Sequence, residues 1–207
     1  VFDNDFIKKE PATGYDDLVT SQADCCVGLQ CNSVTYAGPE LAVAHATTPY
    51  LTTYETGGAP DTFDKLADPT TLPASDAESV SFSGGNRYLA VAHASSPYVT
   101  IYKRDTDTFT KLSDPSTLPA GNGTGAAFSH DSTYLAISHA TTPYVTIYKR
   151  AADDFTKLTD PAFLPLGNAN DVAFSHDSTY LAVAHTTTPY MTVYMRSNCL
   201  LYTSPSP

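Results

Sequence analysis

Residues 128–150 of the chain read FSHDSTYLAISHATTPYVTIYKR. Two similar stretches flank them: residues 82–104 read FSGGNRYLAVAHASSPYVTIYKR, and residues 174–196 read FSHDSTYLAVAHTTTPYMTVYMR. The copies that begin at 128 and 174 are identical at 17 of 23 positions. The aromatic residues that open the four copies recur every 46 residues and are Tyr36, Phe82, Phe128 and Phe174. A fixed period of this length indicates a protein built from structural repeats.

Each repeat contains four short segments that are rich in strand-forming residues. In the second copy these segments, named strands a to d here, are 79–83, 88–93, 98–103 and 109–112. Pro97 separates strand b from strand c, since proline is excluded from a central ladder. Both faces of strands b and c are apolar or aromatic, which predicts a sheet covered on both sides. Small residues such as Ala90 alternate with larger ones such as Leu89 and leave room for the side chains of a neighbouring sheet.

The segments FSHDSTYLA (128–136) and PYVTIYKR (143–150) resemble the WD40-like and YVTN-like β-propeller repeats seen in phage and bacterial proteins. The resemblance covers about residues 33–198 and implies an all-β fold, a propeller of four-stranded antiparallel blades with a 46-residue repeat. Tyr148 and Lys149 stand where a WD40 repeat would end in Trp-Asp, and no Gly-His dipeptide precedes strand a. The Asp-His-Ser-Trp hydrogen-bond tetrad of WD40 repeats is therefore not carried over.

The repeat also predicts the domain organisation. Blades are expected to begin near residues 33, 79, 125 and 171. Residues 1–32 are interpreted as the end of a preceding blade, carried by 1–9, followed by an acidic insert that contains cysteines. Residues 199–207, CLLYTSPSP, read as a translated sequencing adapter, so we expect the fourth blade to stop after strand c. These limits favour an incomplete arc of a ring of seven or eight blades, and a closed four-bladed ring is the alternative.

Composition and charge exclude several classes of function. The chain carries 11 Lys+Arg against 22 Asp+Glu, for a formal net charge of −11. An acidic chain without a cluster of basic residues is not expected to bind nucleic acid or anionic membranes. No apolar run approaches the roughly 20 residues of a membrane-spanning helix, so we expect no membrane insertion. The 15 prolines and 11 glycines favour many short strands and turns.

Two residue types recur around the link between strands b and c. Histidines end strand b in every copy, and tyrosines follow the proline of the link. We take these eight residues as a repeated loop surface: His45, His93, His139, His185, Tyr50, Tyr98, Tyr144 and Tyr190. Equivalent histidines of adjacent blades would lie about 10 Å apart at a strand spacing of ~4.8 Å, too far for metal ligands at about 2 Å. We expect a structural histidine, hydrogen-bonded to a neighbouring loop.

The remaining candidate groups carry no assigned chemistry. Cys25, Cys26 and Cys31 lack a second cysteine pair and a nearby histidine, so zinc is not expected. A loop disulfide through Cys31 and free thiols both remain open, and three cysteines do not fix the compartment. His130 and His176 lie in a turn and are expected to be solvated. We assign no catalytic, cofactor-binding or metal-binding residue.

Nearly identical repeats offer many copies of each group, whereas an active site is a unique place in a chain. We therefore expect a non-catalytic scaffold that binds a protein or a glycan through repeated loops, with avidity from several weak contacts. A phage particle or a bacterial surface is the setting that the resemblance suggests. One alternative is a fragment of a propeller enzyme, lactonase-like or dehydrogenase-like, whose site lies in missing blades. A second alternative is a structural spacer.

Overall fold

The computed structural model describes residues 31–57 and 62–196 and the backbone of 201–203. Sixteen strands form four antiparallel sheets, which are called blades 1 to 4 below. Blades 1 and 2 contain β1 (Cys31–Ala37), β2 (Glu40–His45), β3 (Leu51–Thr56), β4 (Phe63–Lys65), β5 (Ala77–Phe82), β6 (Tyr88–His93), β7 (Val99–Asp105) and β8 (Thr108–Lys111). Blades 3 and 4 contain β9 (Gly123–Phe128), β10 (Tyr134–His139), β11 (Val145–Ala151), β12 (Asp154–Lys157), β13 (Ala169–Phe174), β14 (Tyr180–His185), β15 (Met191–Arg196) and β16 (Leu201–Thr203).

Within each blade the strands pair in chain order, as a meander of hairpins. The register repeats as well: Leu89 lies opposite Tyr102 in blade 2, and Leu135 lies opposite Tyr148 in blade 3. A register shift interrupts the pairing of strand a with the end of strand b in every blade. The 46-residue sequence period therefore corresponds to one four-stranded blade.

The blades pack face to face, and their two faces differ in side-chain size. The face of blade 2 toward blade 3 carries mostly small residues and is called the small face: Tyr88, Ala90, Ala92, Val99 and Ile101. The face toward blade 1 carries bulkier residues and is called the large face: Val80, Phe82, Leu89, Val91, Tyr102 and Phe109. Large side chains of one blade fill the space above the alanines of the preceding blade, and each contact forms one apolar cluster.

The first strands of the blades adjoin one another in the order β1, β5, β9 and β13. This packing does not return from β13 to β1 within the described residues, so the four blades form an open arc. The large face of blade 1 and the small face of blade 4 are consequently uncovered, and Tyr36 is 59% exposed on the former. The predicted all-β propeller arc is confirmed.

One expectation about the last blade is wrong. We expected blade 4 to stop after strand c, but the backbone of Leu201–Thr203 pairs with β15 as a fourth strand. An edge strand offers unpaired N–H and C=O groups to any extended segment, which accounts for this pairing whatever the origin of residues 199–207. The adapter interpretation and the assignment of residues 1–32 stay predictions. Cys25 and Cys26 lie outside the described residues.

Candidate functional site

The link between strands b and c has the same backbone conformation in all four blades. Its Ser/Thr–Pro peptide bond is cis, and the tyrosine that follows has a φ of 67 to 71°. That tyrosine donates its N–H to the carbonyl oxygen three residues earlier, at 2.7 Å in each copy. These loops, called the b–c loops, are residues 47–50, 95–98, 141–144 and 187–190. A positive φ is uncommon for a bulky residue, so four tyrosines held this way mark a conserved geometry within the chain.

The four histidines lie beneath the b–c loops, since none is more than 3% exposed. In every blade Nε2 lies 2.9–3.0 Å from a threonine Oγ1 on strand c. In blades 2 and 3 the Nδ1–H of His93 and His139 donates to the carbonyl oxygens of Ser95 and Thr141. Nε2 is then the acceptor of the threonine hydroxyl in a neutral ring. Each of these two histidines thus ties its b–c loop to strand c.

Burial dominates the protonation of three of these rings. Desolvation lowers the pKa of His45, His93 and His139, while a carbonyl of the b–c loop and a nearby aspartate partly oppose it. The imidazole is therefore neutral at neutral pH, and both nitrogens of His93 and His139 are already engaged. This arrangement suits a structural histidine better than a general base, which must reach a substrate proton.

A second segment completes the surface around each loop. The connection from strand d to the next strand a passes close to the b–c loop: Ser75 Oγ accepts the Ser95 N–H at 2.9 Å, and Thr186 N–H donates to the Asn168 carbonyl. A Cβ on Gly121 would lie 2.5 Å from Thr141 Oγ1, so glycine is required for this approach. Exposed hydroxyl groups therefore lie beside the tyrosines.

The sequence-predicted residues occupy two layers of this end of the blade. The tyrosines of the b–c loops are half-buried in blades 1 to 3, where Tyr50 and Tyr144 pack against inter-blade clusters. In blade 4 the neighbouring blade is missing and Tyr190 is 62% exposed. The tyrosines and the Ser/Thr residues of the loops face outward, whereas the histidines support them from below.

Sequence reasoning missed an arginine contact that joins successive blades. The last residues of strand c place Arg104 on Glu40, Arg150 over the ring of Tyr88, and Arg196 over the ring of Tyr134. Each arginine belongs to one blade and its partner begins strand b of the preceding blade. The signal was present as the final arginine of each PYVTIYKR-like segment, but its partner lies more than 60 residues away.

Metal and membrane chemistry find no support in the described part of the chain. Across residues 31–57 and 62–196, no three His, Cys, Asp or Glu side chains converge to hold a metal ion. The same residues contain no helix long and apolar enough to cross a membrane.

By sequence, no protein family and no curated protein matches the chain. Similar solved structures do exist. A protein from Lactobacillus plantarum is 18% identical with a TM-score of 0.68, and the match covers 86% of this chain and 55% of that one. A Bacteroides uniformis protein, provisionally named a 6-phosphogluconolactonase, is 15% identical with a TM-score of 0.68, covering 97% and 59%. The WD40 repeats of RRP9 are 13% identical with a TM-score of 0.62, covering 84% and 51%.

These likenesses define the fold as a β-propeller built from WD40-like repeats. The chain spans about half the length of the solved structures it matches. At such low identities the likeness extends to architecture alone, because one fold hosts many unrelated functions.

Proposed function

We propose that the chain is a non-catalytic scaffold that binds a protein or a glycan through its b–c loops. The observation that carries this proposal is the fourfold repetition of one loop conformation, with a tyrosine at φ 67–71° and exposed Ser/Thr residues beside it. A strained backbone kept at four equivalent positions is typical of a binding surface.

The contact chemistry of the loops suits a polar, extended partner. Tyrosine combines an apolar ring with a hydroxyl group, and the neighbouring threonines and serines donate and accept hydrogen bonds. Each loop offers a small contact of low affinity. Several identical loops on one rigid arc raise the effective concentration for the second and later contacts, so a repetitive partner gains avidity.

The test uses an immobilised array of bacterial-surface glycans and peptides. The double variant Tyr98→Asn/Tyr144→Asn removes two rings, and asparagine tolerates the left-handed backbone at these positions. Because two of four contacts are lost, we expect at least a tenfold fall in apparent affinity for any array partner.

The matched control is Thr106→Asn, on the hairpin at the opposite end of strand c. Thr106 also has a positive φ, of 51°, so the same residue type is introduced into the same backbone region. This variant should bind as the parent does. Equal losses in both variants, or no retained array partner for the parent chain, would overturn the proposal.

A propeller enzyme is the second candidate, because a similar structure is provisionally named a 6-phosphogluconolactonase. Its activity would need a cluster of His, Asp or Glu that breaks the repeat symmetry. Among the described residues, the buried histidines recur in every blade and each pairs with a threonine. Hydrolysis of 6-phosphogluconolactone by the chain, abolished by removal of a single carboxylate, would favour this candidate over the scaffold.

A further inference from the structure

The two ends of the arc expose residues whose counterparts are buried inside it. Val34 and Tyr36 on the large face of blade 1 are 57% and 59% exposed, whereas Val80 and Phe82 at the same positions of blade 2 are 4% and 7% exposed. Because the large face of blade 2 packs on blade 1, the large face of blade 1 has the shape to pack on another small face.

The small face of blade 4 is the complementary surface. Met191 is 55% exposed, while Val145 at the same position of blade 3 is fully buried. Tyr180, Tyr190 and Met195 extend this exposed apolar area. Both methionines of the chain therefore lie on one uncovered face, and methionine adapts its flexible side chain to a partner surface.

The two faces have also lost the charged residues that join the internal blades. Between blades 2 and 3, Lys103 of the small face pairs with Asp153 at 2.7 Å, and Arg150 lies over Tyr88. At the equivalent positions, Met195 replaces the lysine on blade 4 and Thr56 replaces the arginine on blade 1. Contact between the two end faces would therefore bury no cation, which removes a large desolvation cost.

We propose that two copies of the chain associate head to tail, with the small face of blade 4 of each copy on the large face of blade 1 of the other. Such heterologous contacts close into a ring when the rotation permits it. Each arc covers 51–59% of the larger structures it resembles, so two arcs supply about one complete ring. The dimer has eight blades, within the four to eight of known propellers. This inference is independent of the proposed binding function.

Sedimentation equilibrium of the parent chain from about 1 to 100 µM tests the proposal. We expect a reversible monomer–dimer equilibrium that ends at twice the 22.1 kDa chain mass. Tyr36→Asp and Met191→Asp should each abolish the dimer, because a carboxylate would be buried without a partner in the contact. The control Phe163→Asp changes a residue that is 69% exposed outside both end faces and should leave the dimer intact.

A mixing experiment separates this arrangement from other dimers. Tyr36→Asp retains an intact blade 4 face, and Met191→Asp retains an intact blade 1 face, so an equimolar mixture should form a heterodimer although each variant alone is monomeric. Circular dichroism of each variant verifies the fold. A monomeric parent at all concentrations, oligomers that continue beyond the dimer, or a dimer that survives both aspartate variants would each overturn the proposal.

Discussion

The interface between blades 1 and 2 and the interface between blades 2 and 3 share their geometry but differ in chemistry. In the first, Arg104 pairs with the Glu40 carboxylate at 2.5 Å, and that carboxylate also accepts a hydrogen bond from Asn86 Nδ2. In the second, Tyr88 takes the position of the glutamate and Arg150 lies 4.9 Å from its ring centroid. The same strand-c arginine therefore serves either an ion pair or a cation–π contact.

This difference shows which parts of the repeat are fixed by packing. The alanines and large apolar residues recur at every interface, while the residue that begins strand b varies. Glu40 is only 2% exposed, so its charge depends on the arginine, whereas the Tyr88 ring is neutral and keeps its apolar contacts without one. The two interfaces should consequently respond differently to the loss of their arginines.

The largest effect is expected from Arg104→Met. This change leaves the buried Glu40 carboxylate without its cation, and breaking a buried ion pair typically costs about 3–5 kcal/mol. The free energy of unfolding from urea titration should fall by about that amount, with an unchanged m-value. Glu40→Tyr/Arg104→Met is the control, since it removes the carboxylate too and should recover much of the loss.

Arg150→Met should have a smaller effect. It removes the cation–π contact with Tyr88 and the hydrogen bonds that Arg150 donates to the carbonyl oxygens of Ser132 and Ala152. Methionine preserves most of the apolar contact, so we expect a loss of about 1–2 kcal/mol in the same titration. A loss as large as that of Arg104→Met would remove the distinction between the two interfaces.

The third interface provides the lower limit of the series. Arg196 lies over Tyr134 and pairs with Asp131, but both charged side chains are more than a third exposed. Exposed ion pairs contribute about 0.2–1 kcal/mol, so Arg196→Met should cost less than about 1 kcal/mol. The hydrogen bonds at Asp131 give a separate spectroscopic check. Burial raises the pKa of Asp131, but bonds from Ser129, Arg196 and Thr133 outweigh it and hold the pKa at about 2. NMR titration should show this pKa rise toward its ordinary value in Arg196→Met.

A change of pH should weaken the elements that the interfaces have in common. Burial lowers the pKa of His93 and His139 in the folded chain, so on acidification the unfolded chain takes up protons first. Stability should therefore fall as the pH drops below about 6.5 and level off below the folded pKa values. Thermal unfolding midpoints between pH 8 and pH 5 measure this slope. His139→Gln should reduce it, and the exposed control His176→Gln should leave it unchanged.

The sequence predicts what recurs and leaves unpredicted what depends on stacking. The 46-residue period and the Pro97-type links were sufficient for four-stranded blades, because each hairpin is determined within one repeat. The prediction that the histidines are hydrogen-bonded to a loop also agrees with the Nδ1 contacts of His93 and His139. These features use residues that are near one another in the chain.

Contacts between blades were beyond that reasoning. Arg150 and Tyr88 are far apart in the chain, and they meet only because two sheets stack with a particular offset. The left-handed tyrosines were also unpredicted, since a bulky residue gives no sequence signal for a positive φ in the way that glycine does. The pairing of Leu201–Thr203 with β15 contradicted a pattern that ended at residue 198.

The central structural claim is that successive blades stack with the strand-c arginine on the first residue of strand b in the preceding blade. Double-mutant cycles measure this contact directly, because they isolate the coupling between two side chains. For Glu40→Gln with Arg104→Met we expect a coupling of about 2–3 kcal/mol, and for Tyr88→Leu with Arg150→Met about 1 kcal/mol. Couplings near zero at both pairs would contradict the stacking of the blades, and with it the rigid arc that spaces the b–c loops.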